Sequence, residues 1–193
     1  MSRSDNLYEL PKDLPVPEND GGCNHLTGMR MPQVLLQSTD GTQVDMSALP
    51  SRTIVYCYPR TGRPDEESPT GWNQIPGARG CTPQACGFRD HYEELRAFGI
   101  DAVYGLSAQS PADQREAVER LHLPFALLSD EKLEFAQALR LPTFDVAGMT
   151  LIKRLTLIVT HRRIQQVFYP VFPPDASAAQ VIHWLVERTT AGH

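Results

Sequence analysis

A three-layer α/β/α sandwich is the fold this sequence predicts, from three observations. β-branched and aromatic runs alternate with segments of helical period, proline and glycine fall at the joints between them, and two strands lie close together near the C-terminal end. The order β, α, β, α, β, α, β, β, α mixes crossovers with a terminal hairpin, so the expected sheet is largely parallel with one antiparallel edge and has helices on both faces. The 193 residues are 41% hydrophobic and 21% charged, which suits one domain with a real core and excludes a wholly disordered chain. No apolar run nears the roughly 20 residues of a membrane span. The net charge of −5 argues against a phosphate-backbone binder. Neither membrane nor nucleic acid is an expected partner.

Residues 1–28 hold Pro11, Pro15 and Pro17 and few apolar side chains, so they read as an extended N-terminal arm before a domain over 29–193. Val34, Leu35 and Leu36, then Asp40-Gly41 and Val44, predict a short hairpin. Thr53–Tyr58 reads as a strand buried on both faces, ended by Pro59. The proline- and glycine-rich stretch 60–80 forbids regular structure over most of its length and is expected as an inserted loop, either a binding lid or a tolerated insertion. Ala85, Phe88, Tyr92 and Leu95 then recur at helical spacing, predicting one helix from Pro83 to Phe98 that stops at Gly99. Ala102–Leu106 is a strand, Ser110 caps a helix to Leu121, Phe125–Leu128 is a strand, and Ser129 caps a helix reaching Arg140. Strands Arg154–Thr160 and Ile164–Tyr169 flank the turn at His161-Arg162-Arg163, and Asp175 opens a last helix that buries Val181, Ile182 and Leu185.

The chemistry is expected beyond the carboxyl end of the 53–58 strand, where reactive groups of open α/β sheets collect. Gly80-Cys81-Thr82-Pro83-Gln84-Ala85-Cys86 lies there, at a helix N-terminus whose free N–H groups favour a thiolate over a thiol. Cys81 is the candidate thiolate, Gly80 lets backbone approach closely, and Arg79 adds positive charge nearby. By helical phase Cys81 faces the apolar side and Cys86 the polar flank. The N-terminus lacks the apolar stretch of a secretory signal, so a reducing cytoplasm is expected, where structural disulfides are rare. Packing cysteines remain the plain alternative. A zinc site on Cys81, Cys86 and His91 is disfavoured because steps of five rotate by about 140°, and a thioredoxin dithiol because four residues separate the cysteines, not two. Cys57 reads as core, and the six histidines show no partner spacing. The run Phe168–Pro174 reads as packing at a sheet end before docking surface.

Cys81-Thr82-Pro83-Gln84-Ala85-Cys86-Gly87-Phe88-Arg89-Asp90 closely resembles the cysteine motif of the peroxiredoxin Q group, or bacterioferritin comigratory proteins. Leu127-Leu128-Ser129-Asp130, Lys153-Arg154-Leu155-Thr156-Leu157-Ile158 and Val181-Ile182-His183-Trp184-Leu185 match in order, so the resemblance runs from about 29 to 187. It implies a thioredoxin-like fold, with an N-terminal β-hairpin extension, and a thiol peroxidase. Cys81 would be the peroxidatic thiolate, Cys86 the resolving thiol and Arg154 the guanidinium that polarises the peroxide. Hydrogen peroxide and organic hydroperoxides are the implied substrates and thioredoxin or a similar dithiol the reductant. No metal, flavin or haem is implied, and a monomer or weak homodimer is expected. A disulfide oxidoreductase and a non-catalytic redox sensor are the rival readings.

The family pattern Pro-x-x-x-Thr-x-x-Cys is broken, with Ala78 and Gln74 at the Thr and Pro positions. Pro59 and Thr61, ahead of the insertion, are expected to supply the wall and the peroxide-holding hydroxyl, with Thr70 a weaker candidate. Cys23 has no family counterpart. Residues five apart on a helix have Cα atoms about 8.6 Å apart, whereas disulfides rarely exceed about 7 Å. Joining Cys81 to Cys86 therefore requires unwinding.

Overall fold

The computed structural model describes residues 6–192, so the first five residues of the arm and the terminal His193 lie outside the description. Nine strands and five α-helices follow in order: β1 (Leu35–Ser38), β2 (Gln43–Asp45), β3 (Arg52–Cys57), α1 (Cys81–Asp90), α2 (Tyr92–Ala97), β4 (Ala102–Ser107) and α3 (Pro111–Leu121). Next come β5 (Leu127–Ser129), α4 (Glu134–Leu139), β6 (Thr143–Val146), β7 (Met149–Ile152), β8 (Leu155–Thr160), β9 (Arg163–Phe168) and α5 (Ser177–Ala191). The main sheet has the order β2-β1-β5-β4-β3-β8-β9. Only β3, β4 and β5 run parallel, and both flanks are antiparallel, so the expectation of a single antiparallel edge is corrected.

Strand alternation builds two cores. On β3, Ile54 and Tyr56 face one way, with α1, α2, α3 and α5. Val55 and Cys57 face the other, with Phe135 and Leu139 of α4 and with Cys23 and Leu26 of the arm. The period of two in a centrally placed strand puts both rows indoors, which is why its sequence is apolar throughout. Leu26 is fully buried, so the end of the arm is part of the core.

Four expectations change. The helix predicted over 83–98 starts at Cys81 and breaks at His91, giving α1 and α2. Ser129 does not cap α4. Its hydroxyl donates to the Gln109 carbonyl (2.6 Å), while the Asp130 carboxylate accepts from the N–H groups of Phe135 (3.0 Å) and Ala136 (2.9 Å). Asp175 lies in a 3-10 turn, Pro174–Ala176, and α5 opens after Ala176 with no side-chain cap. The β6–β7 hairpin was not anticipated. Its Phe144 packs against Trp72 of the 60–80 loop, ring centroids 6.3 Å apart, and this contact fastens the insertion to the body. Among the described residues no helix is long and apolar enough to cross a membrane.

Candidate active site

Cys81 is the first residue of α1 and is 4% exposed. The chain enters the helix through Gly80 at φ 110°, a left-handed conformation that side-chain-bearing residues avoid. A Cβ there would also lie 2.6 Å from Pro174 Cγ and 2.9 Å from Leu10 Cδ2. The glycine is thus required by protein packing on both sides. Phe88 anchors the helix from below, stacked on Tyr56 at 4.5 Å and 7°.

Arg154, at the residue before β8, points its guanidinium at this helix start. Nη2 donates to Cys81 Sγ at 3.2 Å, to the Ala78 carbonyl at 3.1 Å and to the Arg79 carbonyl at 3.3 Å. Nη1 donates to Gln84 Oε1. Gln84 is fully buried, and its amide nitrogen donates to Ser177 Oγ (3.2 Å), which stands 3.5 Å from Thr156 Oγ1. A polar chain from β8 and α5 therefore fixes the rotamer of Arg154, at 3% exposure. Arg154 Nε is buried and has no acceptor among the described residues.

Sequence reasoning singled out Cys81, Cys86 and Arg154, and the structure brings the first and third into contact. Cys86 lies one and a half turns along α1, half-buried beside the second core. Burial, the largest influence on it, pushes its thiol up, so it rests as the neutral form while the helix is wound. All four cysteines are free thiols. Thr61 is buried, with its N–H donating to Gln109 Oε1 (2.8 Å) and its carbonyl accepting from Gln109 Nε2 (3.1 Å). The cleft beside Cys81 is lined by its neighbours Arg60 and Gly62 and by Thr82, with Thr61 outside the lining. Arg79, which lines the same cleft, donates from Nη2 to the carbonyls of Asn6 (2.7 Å) and Glu9 (3.4 Å) and from Nη1 to Asn73 Oδ1 (3.3 Å). Gln84 and the Ala78 carbonyl were missed. The first is in the quoted motif, but its partner is 70 residues away. A carbonyl leaves no mark on sequence at all.

The cleft leaves about 20 Å³ open to a water-sized molecule, little more than the roughly 10–15 Å³ that one water requires. A buried thiol, a fixed guanidinium on it and a space of this size suit a small oxidant. The comparisons decide the family. The redoxin family model matches residues 26–182. The chain is 30% identical over 156 residues to the chloroplastic peroxiredoxin Q of Sedum lineare, covering 80% of this chain and 74% of that protein.

The chain belongs to the redoxin family, in its peroxiredoxin Q group.

It is also 29% identical over 186 residues to the chloroplastic peroxiredoxin Q of Gentiana triflora, 93% of this chain and 77% of that one. The crystal structure of peroxidoxin BcpB from Mycobacterium tuberculosis shares the thioredoxin-like fold, with a TM-score of 0.66 and 24% identity over 84% of this chain and 98% of that one. Peroxiredoxins are thiol peroxidases, and in this peroxiredoxin a buried cysteine sulfur has a guanidinium beside it.

Proposed function

We propose that this peroxiredoxin reduces hydrogen peroxide and organic hydroperoxides at Cys81, forms a Cys81–Cys86 disulfide, and is recycled by thioredoxin or a similar dithiol in a reducing cytoplasm. The observation that carries the reading is Arg154, which sets an N–H of its guanidinium on the buried Cys81 sulfur at 3.2 Å and is itself held in place by Gln84. A Xanthomonas campestris bacterioferritin comigratory protein of the same fold has been studied for alkyl peroxide reduction, which supports the organic substrates.

In the first step the Cys81 thiolate attacks the terminal oxygen of the hydroperoxide. The S–O bond forms as the O–O bond breaks, the alkoxide or hydroxide leaves with the electron pair and takes up a proton, and the sulfur is oxidised to sulfenic acid. Arg154 stabilises the charge that develops on the departing oxygen. In the second step Cys86 attacks the sulfenic sulfur and water is lost. The helix must unwind first, since both cysteines are on the intact α1 and its geometry sets their Cα atoms about 8.6 Å apart. Unwinding also removes the burial that pushes the Cys86 thiol up, so a larger share of it is thiolate once the segment is mobile. The external dithiol then reduces the disulfide by exchange, returning both thiols and leaving itself oxidised.

A buried Cys81 in a cleft of this size suits a small hydroperoxide better than a protein disulfide, which separates the reading from an oxidoreductase. The test is peroxide consumption coupled to thioredoxin and its reductase. Sustained turnover is expected for the wild-type chain. Disulfide reduction without peroxide consumption would favour the oxidoreductase, and one oxidation with no turnover on any dithiol the sensor.

A further inference from the structure

We infer that the N-terminal arm is the size filter of this active site, with Leu7 its determining side chain, so that the enzyme selects small hydroperoxides over bulky ones. The inference rests on the peroxidase reading and deepens it. Leu7 lines the cleft beside Gly80, Cys81 and Thr82. It presses on the loop so closely that a Cβ on Gly62 would lie 3.1 Å from Leu7 Cδ2. Three residues on, Leu10 Cδ2 would stand 2.9 Å from a Cβ on Gly80, the residue before the nucleophile. The arm therefore lines the cleft at Leu7 and packs on the backbone beside it at Leu10.

The arm is held there by a residue next to the site. Arg79 is 5% exposed, and its Nη2 donates to the carbonyls of Asn6 and Glu9, the residues bracketing Leu7 and Tyr8. The Asn6 carbonyl also accepts from the Glu9 N–H (3.2 Å), closing a turn around Leu7. Arg120 Nη2 donates to the Gly62 carbonyl at 2.9 Å, which fixes the loop wall that Leu7 abuts.

Size decides what this arrangement excludes. The cleft at Cys81 holds about 20 Å³, but immediately outside it a hollow of about 540 Å³ runs over residues 63–74. Leu7, Arg63 and Trp72 are among the residues that line both. Trp72 is braced from behind by Phe144 of β6, whereas Leu7 is on the arm and is removable without touching the sheet. Trimming Leu7 would join the hollow to the cleft and give an aryl or tertiary alkyl group a place to sit while its O–O bond reaches the sulfur.

The experiment uses the reduced full-length chain and measures second-order rate constants for hydrogen peroxide and for cumene hydroperoxide by rapid mixing. The readout is the ratio of the two, which a general loss of folding or thiol reactivity does not move. Leu7→Ala is expected to raise the cumene-to-hydrogen-peroxide ratio at least about ten-fold, on the scale by which methylene-sized changes in apolar pockets discriminate substrates. Leu7→Trp should lower it. Arg79→Gln, which loosens the hold on the arm and also shortens a side chain of the cleft wall, should raise it as well. A ratio within about two-fold of wild type in both Leu7→Ala and Arg79→Gln would overturn the filter. Wild-type protein that reacts with neither hydroperoxide would instead overturn the peroxidase reading.

Discussion

Cys57 and Cys81 are both buried thiols, 0% and 4% exposed, on opposite faces of the same central strand region, and they have opposite electrostatic company. Cys57 ends β3 on the face packed by α4. Burial pushes its thiol well up, and the nearby carboxylate of Asp130 and the thiol of Cys23 push it further. Cys23 is likewise raised, to about 12, first by burial and then by Asp20. Cys81 has the guanidinium of Arg154 3.2 Å from its sulfur. Removal from water alone makes a cysteine inert; removal from water beside a fixed cation makes a site.

The contrast can be broken in order of expected size. Cys81→Ser should reduce peroxide consumption to the uncatalysed background in the coupled assay, and residual turnover carried by another thiol would end the assignment. Arg154→Ala should slow sulfenate formation by about 10²–10³-fold, the scale for losing one fixed donor to developing negative charge, measured as the single-turnover rate constant. An unchanged constant would take Arg154 out of the chemistry. Cys57→Ala should leave that constant within about two-fold of wild type and lower stability by roughly 1 kcal/mol, the worth of about one buried methylene, read from the denaturation midpoint. A large kinetic effect there would mean the two faces are not chemically separate.

How much of this was legible in the sequence follows from where each partner lies. The start of α1 was local: Gly80, Pro83 and the apolar spacing from Ala85 onward all sit within a few residues, so the thiol at a helix N-terminus could be read directly. The break at His91 was hidden because Phe88, Tyr92 and Leu95 keep helical spacing across it. The start of α4 was misplaced because its N-cap position is Leu133, at φ 57° and without a side-chain cap, while the first N–H groups are met from outside the helix by Asp130, a role nothing local separates from that of Ser129. The β6–β7 hairpin turns at Ala147 and Gly148 with φ of 49° and 75°, and alanine gives no turn signal at a left-handed position. Arg79 was read as charge for the sulfur because its neighbour is Gly80. Two of its acceptors, the Asn6 and Glu9 carbonyls, lie about 70 residues back. Residues that act through distant partners, Gln84 and Leu7 among them, carry no local pattern.

The most direct measurement of the account is to oxidise the Cys86→Ser chain with one equivalent of hydrogen peroxide, trap sulfenic acid with dimedone and locate the adduct by peptide mass mapping. With its resolving partner removed, the oxidised sulfur should persist long enough to be labelled. The account predicts dimedone on Cys81 in near-stoichiometric yield, with Cys23 and Cys57 recovered as thiols. Dimedone on Cys23 or Cys57, or peroxide consumed with Cys81 unmodified, would contradict it.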